Sequence, residues 1–64
     1  MFHEILVNTV YGKVKVLINF VYISSINEQS SSIMMTNGEV YCMNRENLEK
    51  VIKYFDENRK IKRL

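Results

Sequence analysis

The chain has 64 residues, one cysteine, one histidine and a formal net charge of +2. A domain of this length buries only about 60% of the surface its unfolded form exposes, and the usual staples are excluded: Cys42 has no second cysteine to pair with, and His3 leaves too few soft ligands for a structural zinc site. Self-association or a standing partner is the remaining route to a stable small fold.

Residues His3 to Tyr11 alternate with period two, sending Ile5, Val7 and Thr9 to one side and Leu6, Asn8 and Val10 to the other, which is strand patterning. Gly12 marks a turn, after which Lys13 to Asn19 alternates again with Val14, Val16 and Ile18 on one side. With Tyr11-Gly12 as the turn, Val7 faces Val16 and Ile5 faces Ile18, an antiparallel hairpin with a coherent apolar face. Phe20 to Ile26, FVYISSI, is aromatic and β-branched and reads as a third strand, bent away from the second at Asn19. Asn27 to Ser31 is a polar connection whose serines fit loop chemistry better than nucleophilic chemistry.

Ser32 to Phe55 carries the strongest local signals. Asn37-Gly38 lies between two apolar runs and predicts a two-residue type I′ turn. Counting outward pairs Met35 with Val40 and Ile33 with Cys42 on the inner face, and Met34 with Tyr41 on the outer. Asn44 is placed to cap a helix, and Glu46 and Glu49 stand where its dipole favours acids. Leu48, Val51, Ile52 and Phe55 then fall at i, i+3, i+4, i+7, one apolar stripe. Glu46 with Lys50 and Glu49 with Lys53 are i, i+4 pairs that mark the solvent side.

The expected fold is therefore α+β, an antiparallel β-meander or small barrel of about five strands with one C-terminal α-helix. Residues 1–58 form the single domain and residues 59–64 a basic C-terminal tail. One helix covers one face of such a sheet. The other face carries Leu6, Val10, Leu17, Phe20 or Tyr22, Met34 and Tyr41, too apolar to lie open to water. Either the sheet curls into a barrel or a second subunit covers it, and a homo-oligomer is the preferred reading.

No catalytic, metal-ligating or cofactor-binding constellation is visible. The carboxylates Glu4, Glu28, Glu39, Glu46, Glu49, Asp56 and Glu57 fit turns and the outer helix face. Cys42 is placed on the inner face as a structural cysteine and His3 is read as exposed near a terminus. Gly12 and Gly38 are isolated, so no phosphate-cradling loop exists. Arg59, Lys60, Lys62 and Arg63 hold four of the nine basic residues, leaving five against seven acidic ones in residues 1–58. That tail reads as a solvated helix end; together with Lys13 and Lys15 it is the alternative source of phosphate contacts. The opening run MFHEILVNTVYGKVKV carries Glu4 and Asn8 where a signal peptide needs an uninterrupted apolar segment, and no run approaches the roughly eighteen apolar residues of a membrane span. A cytoplasmic protein without membrane contact is expected.

The run Val21 to Phe55, VYISSINEQSSSIMMTNGEVYCMNRENLEKVIKYF, resembles the small bacterial flagellar-operon proteins of the FlbD type. In that pattern a strand with a polar loop, a strand, Thr-Asn-Gly, a strand and an acidic amphipathic helix follow one another. Thr36-Asn37-Gly38 and the helix from Asn44 match it, and Tyr11-Gly12 stands where the family has an earlier Asn-Gly. The same half is similar to part of the LytTR DNA-binding domain, which is considerably longer and has base-reading basic loops that are not evident here. Neither resemblance implies active-site residues. The functional expectation is a non-enzymatic protein–protein interaction module, an adaptor or inhibitor of a larger bacterial or phage machine. It would act on itself and on another protein through the apolar face or an exposed strand edge. A nucleic-acid-binding regulator using the basic tail and surface tyrosines is the alternative, and a small-ligand binder with its pocket at a subunit interface is the third.

Overall fold

A computed structural model describes residues 2–64; Met1, with which the expected domain begins, lies outside the described residues. The elements are β1 (Phe2–Thr9), β2 (Gly12–Asn19), β3 (Ile23–Asn27), β4 (Ser32–Met35), β5 (Val40–Cys42), α1 (Arg45–Asn58) and β6 (Lys62–Arg63), with a single 3-10 turn over Phe20–Tyr22. They form one six-stranded sheet in the order β2-β1-β5-β4-β3-β6 and one helix. The α+β class and the C-terminal helix match expectation. The meander does not: β3 lies beyond β4 instead of beside β2, and β1 pairs with β5. Nor is the sheet purely antiparallel or a closed barrel, because β6 runs parallel to β3 at one edge and β2 ends the other.

The first hairpin forms with a shifted register. Val7 pairs with Val14, Ile5 with Val16 and His3 with Ile18, so Val10 and Tyr11 make the turn in place of Tyr11-Gly12. The shift is two residues, which preserves the faces. Gly12 takes φ +116°, a conformation that only glycine adopts without strain. Asn19 ends β2, and its side chain accepts from the Val21 N–H at 3.1 Å, which converts the expected start of the third strand into the 3-10 turn.

The second hairpin is corrected by one residue, and here the faces do change. Ile33 pairs with Tyr41, Met34 with Val40 and Ser32 with Cys42. Met35 N–H donates to the Glu39 carbonyl at 2.8 Å and Gly38 N–H to the Met35 carbonyl at 2.9 Å, enclosing the three residues Thr36, Asn37 and Gly38. Only Gly38 of these has positive φ, +90°. This is a three-residue loop with glycine in the left-handed position, not the type I′ turn, which needs positive φ at both central residues. The slip turns Tyr41 toward the core and leaves Cys42 exposed instead of buried.

Helix α1 forms as its spacing dictates. Asn44 caps it, the side-chain oxygen accepting from Asn47 N–H at 3.0 Å, and Leu48, Val51, Ile52 and Phe55 are all buried. They share one core with Ile5, Val7, Ile18, Phe20, Ile23, Ile26, Ile33 and Met43. Burying a side chain of this kind stabilises by about 1.5–3 kcal/mol, so the stripe is the largest contribution of any single element. Among the described residues the i, i+4 ion pair of the helix is Arg45–Glu49 at 2.8 Å, in place of the expected Glu46–Lys50 and Glu49–Lys53, and Arg45 also reaches Glu28 at 3.0 Å. Loop 28–31 is anchored to the start of the helix by Ser31, whose φ is +53° and whose hydroxyl donates to the Met43 carbonyl at 2.6 Å. Among the described residues, no helix is long and apolar enough to cross a membrane.

Candidate functional site

Three of the six apolar residues expected on the outer face come together. Leu17, Tyr22 and Tyr41 line a surface cleft of about 240 Å³ with Phe2, Met35 and the tip of the second hairpin. β1 and β2 bring Phe2 and Leu17 there, the 3-10 turn brings Tyr22, and β4 and β5 bring Met35 and Tyr41. Leu17 is 69% exposed, Phe2 64% and Tyr22 56%, which is unusual for large apolar side chains placed this close together. Ile18, Asn19, Thr36, Asn37 and Glu39 complete the lining. The lining is an apolar patch with a polar rim.

The electrostatics of the cleft centre on Glu39. Asn37 Nδ2 donates to its carboxylate at 2.8 Å and the Tyr41 hydroxyl donates at 3.4 Å. Burial, and then the neighbouring Glu39 charge and hydrogen bond, push the Tyr41 phenol above its ordinary value, so it remains a neutral donor.

The other three residues lie elsewhere. Val10, 92% exposed, is at the tip of the first hairpin beside Tyr11. Met34 is exposed and pairs with the exposed Val40. Leu6 is half-buried in a polar groove of about 350 Å³ formed with Glu4, Lys15 and the first turns of α1. Phe2, Ile18 and Met35 are the apolar cleft residues missing from the expected face. Phe2 has the parity of Leu6 on β1 and continuing the alternation one residue back finds it; Met35 needs the hairpin register, which no local signal fixes.

Among the described residues the basic side chains form no single patch. Lys13 and Lys15 lie on β2 and Lys62 and Arg63 on β6, the two opposite edges of the sheet. Lys15 pairs with Glu4 at 3.7 Å. Arg63 pairs with Asp56 at 2.9 Å and Glu28 at 3.9 Å. Arg59 donates to the Val21 carbonyl at 3.0 Å and lies over the Phe55 ring at 5.3 Å. Lys60 lines a groove with Arg59, Ile61 and Arg63. Arg45 is held charged by hydrogen bonds to Glu49 and Glu28, which raise its pKa.

His3 and Cys42 do not approach a shared site. His3 is half-buried, not exposed, stacked on Phe20 at 4.1 Å and edge-on to Tyr54 at 5.7 Å. Cys42 sits on the surface of β5 opposite Ser32.

Comparison with known proteins finds no matching family model, no matching curated protein and no matching solved structure.

Proposed function

We propose that this chain is a small non-enzymatic interaction module that associates with itself and with another protein through the apolar outer surface around Phe2, Leu17, Tyr22 and Tyr41. The observation that carries the reading is the cleft itself: the exposed Phe2, Leu17 and Tyr22 converge from three separate segments beside the half-buried Tyr41, with a polar rim. Aromatic anchors ringed by polar groups are the usual centre of a binding surface. The adaptor or inhibitor role follows from size and from a surface with contacts but no reacting groups. The separation of Lys13 and Lys15 from the basic residues of β6 favours this reading over one that tracks a phosphate backbone.

The test is molar mass by light scattering across a dilution series, at low and high salt, for the wild type and for Phe2→Ser/Tyr22→Ser. A dimer or larger species whose affinity changes little with salt, and which the double substitution weakens at least about tenfold, is the expected result. Binding to single-stranded nucleic acid with affinity falling steeply as salt rises would replace this reading with the regulatory one.

A further inference from the structure

Strand β2 is eight residues long and ends the sheet, with β1 as its one strand neighbour among the described residues. The last paired positions of the first hairpin, Thr9 and Gly12, flank a two-residue turn and exchange backbone hydrogen bonds. By alternation Gly12, Val14, Val16 and Ile18 direct their N–H and C=O groups at β1, and Lys13, Lys15 and Leu17 direct theirs away from the sheet. An edge of this length with outward donors and acceptors is a template for another strand.

We infer that β2 pairs antiparallel with β2 of a second copy of this chain, about a two-fold axis at Val16. The lysines select the register. Axes at Lys15, Val14 or Lys13 place Lys15 or Lys13 opposite a lysine of the second copy, and like charges directly opposite are destabilising. Axes beyond Val16 leave a shorter ladder. At Val16 each Lys15 faces the second copy's Leu17, each Lys13 faces its Asn19, and Val14, Val16 and Ile18 meet Ile18, Val16 and Val14. No lysine is directly opposed, the apolar face continues across the seam, and the stem of Lys15 covers Leu17, otherwise 69% exposed. Glu4 stays beside Lys15 within each copy at 3.7 Å. This deepens the proposed self-association and rests on it, naming the edge at which the two copies meet.

The seam and the outer cleft are separable by experiment. Lys15→Pro deletes an outward N–H without removing a β1 hydrogen bond, whereas Lys15→Ala removes the same charge and keeps the N–H. Light scattering should show the dimer weakened at least about tenfold by Lys15→Pro relative to Lys15→Ala, with the fold checked by amide NMR spectra. The register is read separately in a Cys42→Ser background. Val16→Cys, at the axis, should form a disulfide-linked dimer on mild oxidation, and Val14→Cys, facing the second copy's Ile18, should not. Should Lys15→Pro fail to fold, the cysteine pair decides alone. Equal cross-linking at the two positions, or a wild-type dimer that Lys15→Pro leaves intact, overturns the β2 seam while self-association stands. A wild-type monomer at millimolar concentration overturns both.

Discussion

Gly38 shows how a single backbone angle sets a local structure. Its φ of +90° closes the loop between β4 and β5, and a Cβ at this position would meet no atom within 4 Å. The cost of a side chain there is therefore conformational, not steric crowding by neighbours. Gly38→Val should lower stability by about 1–2 kcal/mol, a fall in melting temperature of roughly 4–16 °C for so small a domain, measured by circular dichroism. Phe55 acts through burial instead: 3% exposed and packed on Phe20, Tyr54 and the Arg59 guanidinium, it should cost about 3–5 kcal/mol when changed to alanine. A Phe55→Ala variant with an unchanged urea midpoint would contradict the burial of Phe55 in the core. Tyr41 gives a pH dependence. Its raised pKa means the folded state keeps the phenolic proton to higher pH than the unfolded chain does. That stabilisation is complete below the ordinary value of 10.0 and is lost as pH rises through the folded value. Tyr41→Phe should therefore show a smaller fall in melting temperature than wild type as pH is raised from about 9 to 12.

At the scale of elements, what could be read locally separates from what could not. The stripe of α1 and its Asn44 cap can be read directly, because a helix's buried face and its first unpaired N–H groups are fixed within a few residues of sequence. The strands are readable for the same reason, but their registers are not. Asn37-Gly38 suits both a two-residue loop with two positive φ angles and a three-residue loop with one, and the difference of one residue exchanges the faces of Tyr41 and Cys42. Of the cleft, Leu17 was accessible to a parity argument, whereas Tyr41 was placed outward by a register one residue off and Tyr22 by a strand that is a 3-10 turn; their convergence depends on β1 lying beside β5, a pairing between distant segments. The final residues were the least legible. A run of four basic side chains suggests solvent, yet Ile61 packs against the core. Leu64 N–H reaches the Ile26 carbonyl at 2.7 Å, and Glu28 N–H reaches the Leu64 carbonyl at 3.3 Å. Deleting residues 60–64 should keep the far-ultraviolet spectrum but reduce stability by about 1–3 kcal/mol from these two hydrogen bonds alone, read by urea denaturation.

For the whole molecule, the surface is the limiting quantity. The chain exposes 4472 Å², and a standard interface covers about 800 Å² per partner, near a fifth of that surface. The outer cleft and the β2 edge adjoin at Leu17, so a second copy paired at β2 also borders the cleft, and the two surfaces form one continuous contact for self-association. The edge with β6 is already occupied by a parallel strand and by the Arg63 ion pairs, which leaves β2 as the long open side.

The link between the two halves of the sheet has a kinetic consequence. Among the described residues β1 meets β5 at one paired position, Asn8 with Cys42. Each hairpin can zip from its own turn within microseconds, but bridging the halves requires closing a loop over the entire chain between those two residues, an entropic cost no neighbouring ladder shares. Docking of the first hairpin onto the core it shares with Ile33 and Leu48 is thus the expected late step of folding, and native-state amide exchange should show β1 and β2 opening at lower free energy than α1.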